Sequence, residues 1–249
     1  MDERLKQFLV TPDAGKRLIA KAMLCINEIQ TALQNNTVVI IAGTTNGYVA
    51  EEVLQRLGQA EGFARKSFFR GITYPPDYQA KPNQLMGDVV IEKGQWMKGK
   101  TIFDAADNLG KNDIIIKGAN ALDLERKQAA IQIGDPKAGT IGVSMQTVFG
   151  RRVALYIPAG LEKRVFGDLQ DIAKALNAAN ASGPRLMPVT GTVITELDAV
   201  KLISGAEAFM TAAGGVAGAE GSYWLAVRGT EQQLTEFEMV YGAVKTKHV

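Results

Sequence analysis

The feature that most constrains the fold is Thr37-Val38-Val39-Ile40-Ile41-Ala42, an unbroken β-branched and apolar run halted by Gly43. Such a run offers no polar face to water, so it reads as a parallel strand with both faces covered. After Gly43-Thr44-Thr45-Asn46-Gly47 the pattern changes. Val49, Val53, Leu54 and Leu57 mark one face of a helix, with Gly58 beyond its end as C-cap. At this turn, glycines can bring successive N–H groups into a concave cradle, the hydroxyls of Thr44 and Thr45 add donors, and the helix presents its positive end. A phosphate or carboxylate would be satisfied there. The alternative is that glycine and threonine only shape the turn and cap the helix.

The same grammar recurs along the chain. Asp113-Ile114-Ile115-Ile116-Lys117 is a second buried strand ending in Gly118, and Arg152-Val153-Ala154-Leu155-Tyr156-Ile157 is a third, ending in Pro158-Ala159-Gly160. Helical patterns at 140–149 and 167–178 separate or follow them. Before the first strand, Thr11-Pro12 reads as an N-cap with proline at the first helical position. Ile19, Ala22, Ile26, Ile29 and Leu33 then predict one long helix ending near Asn35-Asn36. The middle, 63–111, is less regular. Tyr74-Pro75-Pro76 and Lys81-Pro82-Asn83 are loop signals, and residues 88–96 look like a hairpin around Glu92-Lys93-Gly94.

A Gly/Ala/Ser/Asn/Pro stretch at 177–184 breaks the alternation. Beyond it, 186–189, 206–212 and 222–227 read as short strands, and 196–203 and 231–240 as helices. The expected fold is α/β: a mostly parallel, Rossmann-like sheet with helices on both faces over residues 1–178, plus a small C-terminal α+β unit at 186–249. Its ligand site should lie at the carboxyl ends of the parallel strands.

Composition narrows the chemistry. Hydrophobic residues make up 46% of the 249 and charged residues 22%, as in an ordinary globular chain. The formal net charge is +2, with Lys and Arg scattered among Asp and Glu, so no nucleic-acid partner is expected. The longest apolar runs are too short to span a bilayer and Met1-Asp2-Glu3-Arg4 is not a secretory signal, so no membrane partner and a cytoplasmic location are expected. Cys25 and His248 are the only residues of their kinds, which argues against a disulfide, a zinc cluster or a Ser-His-Asp triad. No metal and no cofactor are expected. Carboxylates, lysines, hydroxyls and backbone amides must do any chemistry.

Four further segments are candidates. Lys117 and Asn120 leave the second strand at the ligand edge, where Gly118 admits a close backbone approach; Asn120 or Asp123 would otherwise cap the next helix. Gly134-Asp135-Pro136-Lys137-Ala138-Gly139-Thr140 precedes a helix start and reads as a second anion cradle or a simple connection. Lys163 and Arg164 lie just past the third strand, where a cation could neutralise a phosphate or stay solvated. Glu220, in the glycine loop 214–221, is a base, a nucleophile or part of a hairpin connection.

At these strand ends the chain resembles the superfamily that contains ribose-5-phosphate isomerase, glucosamine-6-phosphate deaminase, methylthioribose-1-phosphate isomerase, CoA transferases and sugar-responsive repressor domains. Lys16-Arg17-Leu18-Ile19-Ala20, the strand at 38–42 and the turn at Gly43 are similar to the isomerase opening of helix, strand and phosphate loop. Ile116-Lys117-Gly118-Ala119-Asn120-Ala121-Leu122-Asp123 resembles its Gly-Ala-Asp-Glu segment, with Asn120 where the family has an aspartate, and an amide cannot accept a proton as a base. The Lys-Gly-Gly-Gly-Gly and Arg-Glu-Lys elements of the isomerase are missing. The resemblance implies the fold and the ligand edge, and ribose-5-phosphate isomerase activity is not carried over. The leading expectation is a protein that binds and acts on a small phosphorylated compound held by Gly43, Thr44, Thr45, Asn46, Gly47, Gly118, Asn120, Gly139, Thr140 and Lys163. The reaction expected is an aldose-ketose or related isomerisation, in which Lys117 and Lys163 stabilise developing charge and Asp123 or Asp135 moves the proton. A non-catalytic metabolite sensor and an acyl-CoA transferase relative with Glu220 as nucleophile are the alternatives. The partners expected are a small anionic metabolite and further copies of the chain.

Overall fold

A computed structural model of the chain describes residues 3–75, 77–78 and 86–245. Strand β1 (Arg4–Val10) leads into helices α1 (Pro12–Met23) and α2 (Asn27–Asn35), then strand β2 (Thr37–Ile40) and helix α3 (Thr44–Arg56). The hairpin β3 (Val89–Glu92) and β4 (Gln95–Trp96) precedes the short helix α4 (Ile102–Ala105) and strand β5 (Ile114–Ile116). A second hairpin, β6 (Ala121–Asp123) and β7 (Gln128–Ile133), runs into α5 (Gly139–Arg151) and β8 (Ala154–Pro158). Then come α6 (Leu169–Leu176), β9 (Arg185–Val189), β10 (Thr192–Ile194), α7 (Glu196–Ser204), β11 (Glu207–Gly214), β12 (Ser222–Gly229) and α8 (Glu231–Val244).

The protein is a mixed α/β fold. Its central sheet has the order β10-β8-β5-β2-β3-β4; the four strands from β10 to β2 are parallel, β3 runs against them and β4 runs against β3. The expectation of a mostly parallel sheet is thus met by one half of the sheet and not by the other edge. There β3 pairs antiparallel with β2, and the β3–β4 hairpin turns through Lys93 and Gly94, both with positive φ (46° and 81°), which lets the chain reverse in two residues and lay β4 on β3.

The unbroken apolar run of β2 is explained by its position. Val38 and Ile40 join a core with Ile19 and Met23 of α1, Ile29 of α2 and Val49 and Val53 of α3. Val39 and Ile41 join the opposite core, with Ile102 of α4 and Ile141 and Met145 of α5. Both faces of the strand are therefore dry, and a polar residue at any of these positions would need a partner that is not there.

Two three-stranded antiparallel sheets flank the centre, β1-β12-β11 and β6-β7-β9. Three strands from residues 186–249 pair with strands from residues 1–178: β9 with β7, β10 with β8 and β12 with β1. Among the described residues no helix is long and apolar enough to cross a membrane.

Two local expectations are corrected. The predicted long helix is two, because Leu24 closes α1 and Ile26 is extended (φ −80°, ψ 117°). The Leu24 carbonyl released by the break accepts from the Gln30 side chain at 2.6 Å and from Arg56 at 3.2 Å, so no polar group is stranded. Asp123 ends strand β6 and caps no helix; its Oδ1 accepts from the amides of Glu125 (3.0 Å) and Arg126 (3.1 Å), holding the β6–β7 turn. Pro76, Lys81, Pro82, Asn83 and His248 lie outside the described residues.

Gly15 sets the approach of α1 to α7 and β12. A Cβ there would fall within contact distance of Tyr223 Oη and Glu196 Oε1, both buried. Gly15→Ala is expected to lower stability by about 2 kcal/mol, the usual cost of overpacking a tight interior. Chemical denaturation checks this, and an unchanged midpoint would contradict it.

Candidate functional site

At the carboxyl end of the parallel strands, two side chains hold the backbone where the ladder stops. Asn46, 1% exposed in the first turn of α3, donates from Nδ2 to the Ile41 carbonyl at 2.6 Å and to the Ile116 carbonyl at 3.0 Å. It thus ties the end of β2 to the end of β5. Asp88, 4% exposed, accepts from the Ala42 amide and the Ile102 amide, both at 2.9 Å, and pairs with Arg70 at 3.4 Å. These two bridges leave Gly43 extended (φ 177°, ψ 158°) at the start of α3 with no side chain to cap the helix. Its first-turn amides are left for an outside acceptor.

Gly43 is not in a glycine-only conformation, and a Cβ there would meet nothing closer than 3.9 Å. What its lack of a side chain provides is open backbone beside a cavity of about 480 Å³. That volume falls within the range of small-molecule sites. The walls are the β2–α3 turn, the segment 117–120 after β5, the end of β7, the start of α5, Arg70 to Ile72, Phe103 and Lys163. At the start of α5 the N-cap residue is Ala138, in the left-handed region (φ 61°), which has no side-chain acceptor; of the amides of this helix, Asp135 Oδ1 reaches only that of Gly139, at 3.3 Å. Two 13-residue helices therefore direct their positive ends at one space.

Three cations line that space, Arg70, Lys117 and Lys163, against one carboxylate, Asp135. Lys163 Nζ lies 3.4 Å from Thr45 Oγ1 and, like Lys117, has no carboxylate within ion-pair distance among the described residues. Burial pushes the Lys117 ammonium down to about 8; Asp88 opposes the shift, and Arg70 and Lys163 add to it. Lys163 is lowered for the same first reason, burial, with Lys16 adding and Glu162 and Glu196 opposing. An anion entering the cavity would relieve the repulsion among these charges.

Of the residues singled out from sequence, Gly43, Thr44, Thr45, Asn46, Lys117, Gly118, Asn120, Asp135, Gly139, Thr140 and Lys163 line the cavity. Thr45 is buried at 2% exposure and Thr44 is exposed. Gly47 lies outside it; a side chain there would press on Arg65 Cγ, at 3.1 Å, so this glycine serves packing. Asp123 is also outside. Hydrogen bonds from the Arg126 and Glu125 amides and the Arg126 guanidinium hold its carboxyl below the usual range, the state of a fixed acceptor. Glu220 sits exposed in the β11–β12 loop, away from the cavity.

Two of the lining residues have their polar atoms engaged elsewhere. Asn120 Oδ1 accepts from the Gln132 amide at 3.0 Å, bracing β6 on β7. Asp135 Oδ1 accepts from the Lys137 amide at 2.7 Å and the Gly139 amide at 3.3 Å, shaping the start of α5. Sequence reading missed Arg70, Phe103 and Asp88. Asp88 directly precedes the buried run Val89-Val90-Ile91, and a charge at the mouth of a dry strand is a signal that it has been paired.

The chain was compared with protein-family models, curated proteins and solved structures. None matches. The site therefore rests on its own geometry.

Asp88→Ala would strand two buried amides and release Arg70, with an expected loss of about 3 kcal/mol in chemical denaturation. Asp88→Asn, which keeps one acceptor, should cost less; equal costs would contradict the assignment. Affinity for sulfate, whose charge is constant above pH 4, should fall about tenfold as pH rises through about 8 and Lys117 loses its proton. Titration calorimetry of Lys117→Gln should show that step gone.

Proposed function

We propose that the protein binds a small phosphorylated metabolite in this cavity, in the manner of the sugar-phosphate isomerase superfamily that its strand ends resemble. The observation that carries the reading is the convergence of the uncapped start of α3, the start of α5 and three cations on one cavity of about 480 Å³. A dianionic group satisfies the backbone amides and the ammonium groups together, whereas a neutral ligand would leave them unpaired. The position of the cavity, at the carboxyl ends of the parallel strands β2 and β5 with Lys163 following β8, supports a Rossmann-like reading of that part of the sheet.

If the protein is an enzyme of this class, Lys117 is the lining residue best suited to move a proton, because its depressed value lies near neutrality and it is not tied up in an ion pair. Lys163 and the α3 amides would then stabilise the charge that develops on the substrate. The carboxylates Asp123 and Glu220 lie outside the cavity, and Asp135 is occupied by amides. That last observation favours a second reading, a metabolite sensor that holds the ligand without turning it over.

The test is thermal unfolding in the presence of ribose 5-phosphate, glucosamine 6-phosphate and their unphosphorylated parents. A phosphorylated compound at one hundred times its Kd should stabilise the protein by about 2.7 kcal/mol, and the parent sugars should not. Thr45→Trp, which fills the cradle, should abolish the effect. Equal stabilisation by the parent sugars, or none by any phosphorylated compound, would overturn the proposal. Conversion of the bound sugar in the wild type, lost in Lys117→Gln, separates the enzyme from the sensor.

A further inference from the structure

Directly behind Lys163 lies a set of buried acidic groups that the binding site does not use. Lys163 is carried by the 3-10 turn Leu161–Lys163, and the first amide of that turn, Leu161 N, donates to Glu196 Oε2 at 2.9 Å. Glu196, the first residue of α7, has no exposed surface. Its second oxygen, Oε1, faces the Tyr223 hydroxyl, which is equally buried, and neither atom has any other hydrogen-bond partner. Glu162 Oε2 is a third buried oxygen and has no partner, folded back over Gly160. The space for the first two exists because residue 15 of α1 is glycine.

Charged and titratable groups face this cluster from each neighbouring element. Glu162 of the turn and Tyr223 of β12 act on Glu196 itself; Lys163 is acted on by Glu162, Lys16 of α1 and Glu196, and Arg164 acts on Tyr223. On α7 itself, Asp198 is committed to the Thr195 amide and to Lys127. A glutamine at 196 would accept from Leu161 equally well and would bury no charge. What the carboxyl adds is a proton that can leave.

We propose that Glu196 is a positioning residue of the anion cavity: it fixes the turn that presents Lys163, and its loss of a proton draws Lys163 inward at the expense of the anion. The inference rests on the anion-binding reading of the cavity. Burial, then the neighbouring Glu162 carboxylate, push Glu196 up to about 7, and the Tyr223 hydroxyl opposes them. Below that value the group is neutral, and Lys163 is opposed only by Glu162. Above it, the proton passes to solvent and the new carboxylate competes with the bound anion for Lys163. Anion binding in the neutral range must then take up a fraction of a proton at Glu196, by linkage.

Sulfate titration calorimetry between pH 6 and pH 9 reads this coupling. The wild type should weaken about fivefold through pH 7, before the separate loss at Lys117 near pH 8. Glu196→Gln, isosteric and permanently neutral, should lose the first step, keep the second and bind sulfate about 2.5-fold more tightly than wild type at pH 7.5. Tyr223→Phe removes a group that favours the ionised carboxyl and should move the first step to higher pH. A step retained in Glu196→Gln, or weakening by the same factor at every pH, would overturn the proposal; the latter is what a purely structural residue gives. A second readout needs no anion: the Lys163 Nζ resonance in ¹⁵N NMR should shift with a midpoint near 7 in wild type and not in Glu196→Gln. If sulfate fails to bind the wild type at any pH, the anion-binding reading fails, and the Lys163 resonance alone decides the coupling.

Discussion

The carboxamide of Asn46 is the interaction on which the rest of the site depends. Parallel strands need no side chains while their ladder continues, but where they part, the last carbonyls lose their partners. Here the Ile41 carbonyl has no ladder partner while Ile116 still accepts from the Ile41 amide, and one side-chain NH₂ group bonds both carbonyls and ties the two strand ends together. That bond pair holds the first turn of α3 against the strand ends and leaves its amides turned outward. Asp88 acts on the next carbon of the chain in the same way, accepting from Ala42 and from the start of α4. Both groups are dry, so breaking either leaves buried backbone without a partner and costs more than an exposed hydrogen bond would.

With the frame fixed in this way, the fold can hold charges where they are costly. Lys117 and Lys163 stand partly buried near Arg70 and Lys16, and burial alone depresses both. Nothing in the packing of the sheet requires these cations; methionine or leucine would fill the same walls without desolvating a charge. On the proposed function, an acceptor from outside would compensate this cluster of like charges at the mouths of two helices. Behind them, Glu196 and Glu162 supply the opposite sign at a distance, so the balance of charge at Lys163 can be moved by a proton.

How much of this the sequence displayed follows from how local each feature is. The strand β2, its turn and α3 were readable because a run buried on both faces must be continuously apolar and must stop at a small residue. The starts of α3 and α5 were readable for the same reason, through Gly43 and the Gly134 to Thr140 turn. The break at Leu24 was not, since its cause is a pair of side chains, Gln30 and Arg56, that take up the carbonyl from a distance. Strand β1 was missed because Arg4 to Val10 hides only Phe8 and Val10, and its partner β12 lies more than two hundred residues along the chain. Asp123 and Asn120 were read as possible chemistry because their types allow it, whereas their bonds to Arg126 and Gln132 make them parts of a hairpin. Arg70 carries no periodic signal, and only its tertiary pairing with Asp88, which lies outside the cavity wall, brings it to the cavity.

The central claim is that two helix starts and Lys163 surround one anion. Titrating the ¹⁵N-labelled protein with inorganic phosphate and following backbone amide shifts tests it most directly. The account predicts that the largest shifts fall on Thr44, Thr45 and Asn46, on Gly139 and Thr140, and on Lys163, all with one dissociation constant. Shifts confined to other surfaces, or first-turn amides of α3 that do not move while phosphate binds, would contradict it.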